Sequence, residues 1–140
     1  MMTIRERLLI ASTIFLFGAC GSLAGTFDGL YFEIKGKGEA VVLAHGGQMD
    51  RRMWDAQFDI FAKKYQVLRY DIRGFGKSAI PTKGYSDAGD LYALLEHLGL
   101  KKASLIGLSL GAAVAVDFVL APGKGVAGTL RRVVALPVQP

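Results

Sequence analysis

Three short runs rich in apolar residues, each meeting glycine or aspartate at or within two residues of its end and followed by helical spacing, limit this chain to very few architectures. They are Ala40-Val41-Val42-Leu43-Ala44, Tyr65-Gln66-Val67-Leu68-Arg69-Tyr70 and Ala103-Ser104-Leu105-Ile106-Gly107. The first is continuously apolar, which suits a strand covered on both faces, the second reads as the next strand, and the third as another buried one. Behind Asp50 as a cap, Met53, Trp54, Gln57, Phe58, Ile60 and Phe61 recur at roughly helical spacing to about Lys64. Trp54, Phe58 and Phe61 read as helix core in preference to a substrate wall. Ser86 or Asp87 opens a second helix with Leu91, Leu94, Leu95 and Leu98 at i, i+3, i+4 and i+7, and Gly99 stops it. Gly111 to Leu120 is small, apolar and long enough for a buried helix that ends at Pro122-Gly123. Leu30 to Lys35 adds an early strand and Val133 to Leu136 a last one. Alternation of this kind predicts an α/β fold, a parallel, doubly wound sheet with helices on both faces. Its ligand site is expected beyond the carboxyl ends of the strands.

The chemistry-bearing residues fall at those ends. Gly107-Leu108-Ser109-Leu110-Gly111 is G-x-S-x-G between a predicted strand and a predicted helix. The bend there is sharp, so its flanks must be small, which Gly107 and Gly111 satisfy. It lifts the Ser109 hydroxyl above the sheet and aims the Leu110 N–H at the same spot, at a helix N-terminus. His45-Gly46-Gly47 follows the first buried strand, and Gly47 is expected as a second amide donor to a developing oxyanion. Asp71-Ile72-Arg73-Gly74-Phe75-Gly76-Lys77-Ser78 follows the next. Asp71 there is expected to brace the loop by accepting backbone N–H bonds.

HGG, D-I-R-G-F-G-K-S and G-L-S-L-G, in that order and spacing, resemble the N-terminal half of the α/β-hydrolase superfamily over about residues 28 to 136. The likeness is to the serine branch of single-domain esterases, lactonases, carbon–carbon hydrolases and cofactor-free peroxidases. It implies Ser109 as nucleophile, a loop-ordering role for His45 and Gly46, no cofactor, and a small ester-like or other carbonyl substrate. Serine needs a base, and in this fold the order is serine, acid, histidine. No histidine follows Ser109, and the only later carboxylate is Asp117. His45 as a makeshift base and Asp71 as a triad acid are the alternatives to their loop-ordering roles. His97 is expected at the wrong edge of the sheet. The expectation is therefore a sheet truncated after the sixth-strand region, inactive alone, with an exposed apolar last strand. Acid and base would come from a missing segment, a complementing chain or an oligomer. The contrary reading is a non-catalytic lipoprotein remnant or binding module.

The N-terminus reads as an address. Arg5 and Arg7 precede Leu8 to Ala19, an apolar stretch too short to span a bilayer as a helix. Leu16-Phe17-Gly18-Ala19-Cys20 resembles the lipobox of bacterial lipoproteins. That implies a signal peptide over 1–19, lipid on Cys20, a tether to residue 27, and an incomplete hydrolase domain over 28–140. The protein would be exported and anchored to the bacterial envelope. An ordinary cleaved signal and an uncleaved anchor helix are the alternatives. One cysteine excludes a disulfide framework, and two histidines leave few ways to build a metal site, so none is expected. The net charge of +5 comes from Lys and Arg scattered in pairs, without a basic–aromatic stripe, so no nucleic-acid partner is expected.

Overall fold

The computed structural model describes residues 21–121 and 130–136. The stretch read as a signal peptide, Cys20, the expected helix end at Pro122-Gly123 and Pro137 lie outside them. Six strands form one sheet: β1 (Ser22–Phe27), β2 (Leu30–Lys35), β3 (Ala40–Ala44), β4 (Gln66–Tyr70), β5 (Ala103–Leu108) and β6 (Leu130–Leu136). Their order is β1-β2-β4-β3-β5-β6. A 3-10 turn at Arg51–Trp54 leads into α1 (Asp55–Phe61), and α2 (Asp87–His97) and α3 (Leu110–Leu120) are the other helices among the described residues.

The buried runs are parallel, as their lack of alternation implies: β4, β3, β5 and β6 all run the same way. The sheet as a whole is mixed, however, because β1 and β2 pair antiparallel, and β2 pairs antiparallel with β4. The stretch expected as a tether is thus strand β1. The cause is local: Asp28 and Gly29 both hold positive φ (45° and 80°), the two-residue turn whose twist closes a hairpin. Opposite Phe32, Gly25 leaves room for the ring.

Side-chain alternation along the buried strands builds two cores. Val42, Ala44, Leu68, Tyr70 and Leu105 pack under Leu91, Leu94 and Leu95 of α2 and Val114, Ala115 and Phe118 of α3. On the other face Val41, Leu43 and Val67 pack under Trp54 and Phe58, with Phe61 partly buried against them. The sheet is therefore covered on both faces, and the three aromatic residues are core. The caps are those the sequence predicts. Asp50 accepts the Arg52 N–H, Ser86 accepts that of Gly89, and Gly99 leaves the helix at φ +66°. Among the described residues β6 is the last strand of the sheet, with Val133, Val134 and Leu136 exposed. Among the described residues no helix is long and apolar enough to cross a membrane.

Candidate active site

Three loops meet at the carboxyl edge of the parallel strands. The first is the bend between β5 and α3. Ser109 is exposed there at φ +52°, ψ −107°, a conformation that a non-glycine residue adopts only under constraint. Two close approaches hold it. A methyl on Gly107 would lie 2.6 Å from the Ala112 nitrogen and nearer still to the Gly111 carbonyl oxygen. One on Gly111 would lie 2.8 Å from the His45 carbonyl oxygen, with that of Ala44 nearer. The two glycines thus close the bend on itself and seat it against the end of β3. The Ser109 N–H donates to the Leu136 carbonyl at 2.9 Å, tying the bend to β6.

The second loop runs from His45 to Asp50. His45 is fully buried. The Ile72 N–H donates to its Nε2 at 2.9 Å, so Nε2 is the acceptor and Nδ1 carries the proton. Nδ1–H then donates to the Gly46 carbonyl at 2.7 Å. Both ring nitrogens are occupied, and no lone pair remains to take a proton from Ser109. The makeshift-base reading of His45 fails on this geometry. Its position does order the loop. With the Gly46 carbonyl drawn to the imidazole and the peptide trans, the Gly47 N–H points to the opposite side. Gly47 is exposed, and a methyl on it would meet the Leu110 Cβ at 3.9 Å. The Gly46 N–H rests on the Met53 sulfur at 3.3 Å.

The third loop is Asp71 to Ser78. Asp71 is fully buried and accepts the Lys77 N–H at 2.8 Å, the bracing its position in the sequence suggests. Its carboxylate also takes two bonds from Arg51, which leaves it no role beside Ser109 as a triad acid. The Ser78 hydroxyl donates to the Asp71 carbonyl and accepts the Tyr31 N–H. Phe75 lies edge-on to the His45 ring at 5.5 Å.

Residues that sequence reasoning did not reach supply the charge here. Arg51 donates from its backbone N–H and from its guanidinium to the two oxygens of Asp71, and from Nε to Glu33. Glu33 also pairs with Arg69, its cross-strand neighbour, and Arg69 with Asp55. Burial opposes ionisation of Glu33, but the bonds from Arg51 and Arg69 outweigh it and hold the carboxyl below its ordinary range. Arg73 pairs with Asp90 at 2.6 Å. Partial burial, with the Asp90 carboxylate beside it, pushes Asp87 up.

The remaining candidates stand apart. His97 stacks on Phe27 at 4.0 Å. Asp117 is exposed on α3, eight residues from Ser109, about 12 Å along the helix axis. Cys20 lies outside the described residues. No group of three or more metal-ligating side chains occurs among the described residues.

A mostly parallel sheet with a constrained serine at the β5–α3 bend defines the class of α/β-hydrolase folds. The model of the alpha/beta hydrolase family matches residues 41–140, and the chain belongs to that family. Its relatives include a non-heme chloroperoxidase of Burkholderia pyrrocinia, 32% identical over 73% of this chain and 38% of the relative. Among solved structures, the bromoperoxidase of Bacillus anthracis matches at TM-score 0.71 and 32% identity, covering 82% of this chain and 44% of that one. The enol-lactonase of Burkholderia xenovorans LB400 matches at 0.69 and 29%, covering 79% and 45%. The chain spans between 33% and 38% of the length of the first three curated relatives it matches.

Proposed function

We propose that this chain is the nucleophile-bearing part of a serine hydrolase that acts on small ester or lactone carbonyls. The observation that carries the reading is Ser109, exposed at φ +52° on a bend seated by Gly111 against Ala44 and His45. In the proposed reaction Ser109 Oγ attacks the carbonyl carbon and its proton passes to a base. The tetrahedral oxyanion is held by the Leu110 and Gly47 amides. Collapse expels the alcohol, which takes the proton, and water then releases the acid by the same route. The enol-lactonase and peroxidase names of the relatives support a compact acyl substrate.

The base and acid of this reading come from outside these 140 residues, in a further segment or a second chain. The full commitment of His45 favours a second reading for the chain by itself: a catalytically silent module that binds small apolar ligands or a partner edge. A fluorophosphonate probe separates them. Labelling of the wild type that disappears in Ser109→Ala supports the hydrolase. Absence of labelling at every pH supports the silent module. The proposed location is the bacterial envelope, through lipid on Cys20. Incorporation of a tagged fatty acid that is abolished in Cys20→Ser would support it, and equal incorporation in both would overturn it.

A further inference from the structure

We propose that Arg51 is a positioning residue that locks the loop bearing Gly47 to the loop 71–78, so that the two move as one body. The loop 45–50 has a fastening at each end, and both reach the same segment. At its start His45 Nε2 takes the Ile72 N–H. At its end Arg51 grips Asp71 twice, with its backbone N–H on Oδ1 at 2.8 Å and its guanidinium on Oδ2 at 2.9 Å. Asp71 Oδ2 also takes the Lys77 N–H at 2.8 Å. One buried carboxylate therefore holds both loops. A bidentate grip of this kind fixes direction as well as distance.

The guanidinium is itself held from the sheet. Glu33 on β2 takes its Nε at 2.8 Å, and the cation sits over the Tyr31 ring at 4.4 Å. The Lys77 ammonium approaches the same ring at 4.7 Å. The Arg51 side chain is only 7% exposed, that of Asp71 0% and that of Glu33 14%. Arg69, salt-bridged to Glu33 and Asp55, completes the network. Loss of one partner from a buried pair leaves an uncompensated charge. Loss of the Arg51 side chain would leave the buried Asp71 charge without its cation, held only by the backbone N–H groups of residues 51 and 77, and both loops would loosen together. The consequence for the oxyanion donor rests on the function proposed above, whereas the mechanical coupling does not.

The test uses the full chain and two readouts. Hydrogen exchange followed by mass spectrometry reads the coupling without any activity. In Arg51→Met, exchange is expected to rise on the order of a hundredfold in both segments, 45–50 and 71–78. Arg51→Lys should restore most of the protection, and Glu33→Gln should raise exchange less than Arg51→Met does. A rise confined to 51–54, or no rise, would overturn the proposal. If Arg51→Met does not fold, the same comparison is read on Glu33→Gln, where a rise in only one segment overturns it. Fluorophosphonate labelling reads the consequence. The maximal rate should fall about tenfold or more in Arg51→Met with half-saturation unchanged, the mark of lost orientation. Equal maximal rates alongside opened loops would overturn the link to the oxyanion donor. A wild type that never labels counts against the proposed hydrolase function, and the exchange result still decides the coupling.

Discussion

Gly111→Ala tests the contact between the serine bend and the oxyanion loop. The added methyl would lie 2.6 Å from the Ala44 carbonyl carbon and 2.8 Å from the His45 carbonyl oxygen. Carbon atoms pack at ~3.5 Å or more, so the overlap with Ala44 is about 0.9 Å. These are backbone atoms of a central strand and cannot rotate away. The first turn of α3 must retreat, against Val114, Ala115 and Phe118, which are buried in the core. Overpacking of this kind costs about 1–3 kcal/mol, and a rigid obstacle places it at the upper end. The same retreat separates the Leu110 amide from Gly47 by a distance of the order that costs about a hundredfold in rate. Urea unfolding followed by circular dichroism measures the first quantity and fluorophosphonate labelling the second. Ala113→Ser, exposed on the same helix, serves as control. A Gly111→Ala protein within about 0.5 kcal/mol of wild type would refute the packing argument whatever the labelling shows.

His45→Phe keeps a ring of similar size but orphans the Ile72 N–H and the Gly46 carbonyl. Each buried orphan costs about 1–3 kcal/mol, so the urea midpoint should fall, and an unchanged midpoint would contradict the tautomer assigned to His45. Glu33 is held below its ordinary 4.5 in the folded chain. Its contribution is therefore complete above the unfolded value and is lost as pH falls through the lower, folded one. Glu33→Gln should melt below wild type at neutral pH, with the gap closing in acid. A gap constant with pH would remove Glu33 from the network.

Much of this molecule was legible because the relevant forces are local. The buried strands show as short runs rich in apolar residues, unbroken in Ala40 to Ala44, Asp50, Ser86 and Gly99 mark helix ends, and the glycines at 107 and 111 announce a tight bend. Strand β1 was not legible from its own residues. Ser22 to Thr26 shows no alternation of an apolar face, since it lies at a sheet edge, and four of the six strand residues are exposed. The Asp28-Gly29 pair held the signal for a hairpin. Arg51 and Glu33 left no trace either. Their pairing spans 18 residues and that of Arg51 with Asp71 spans 20, and nothing in the spacing of charges marks such partners. The roles of Ile72 and Met53 rest on one backbone N–H and one sulfur, which are visible only in three dimensions.

Strand β1 also bears on how the protein would sit if Cys20 carries lipid. Only Gly21 separates that cysteine from the first hydrogen-bonded residue, a reach of ~7 Å. There is no slack for the body to tumble on a leash, so the β1 margin would be pressed to the headgroup layer with its orientation restrained. The opposite margin, β6, lies five strand spacings away, about 24 Å. Among the described residues no strand pairs beyond β6, and that margin would then face away from the bilayer, where a further segment or another polypeptide can reach it.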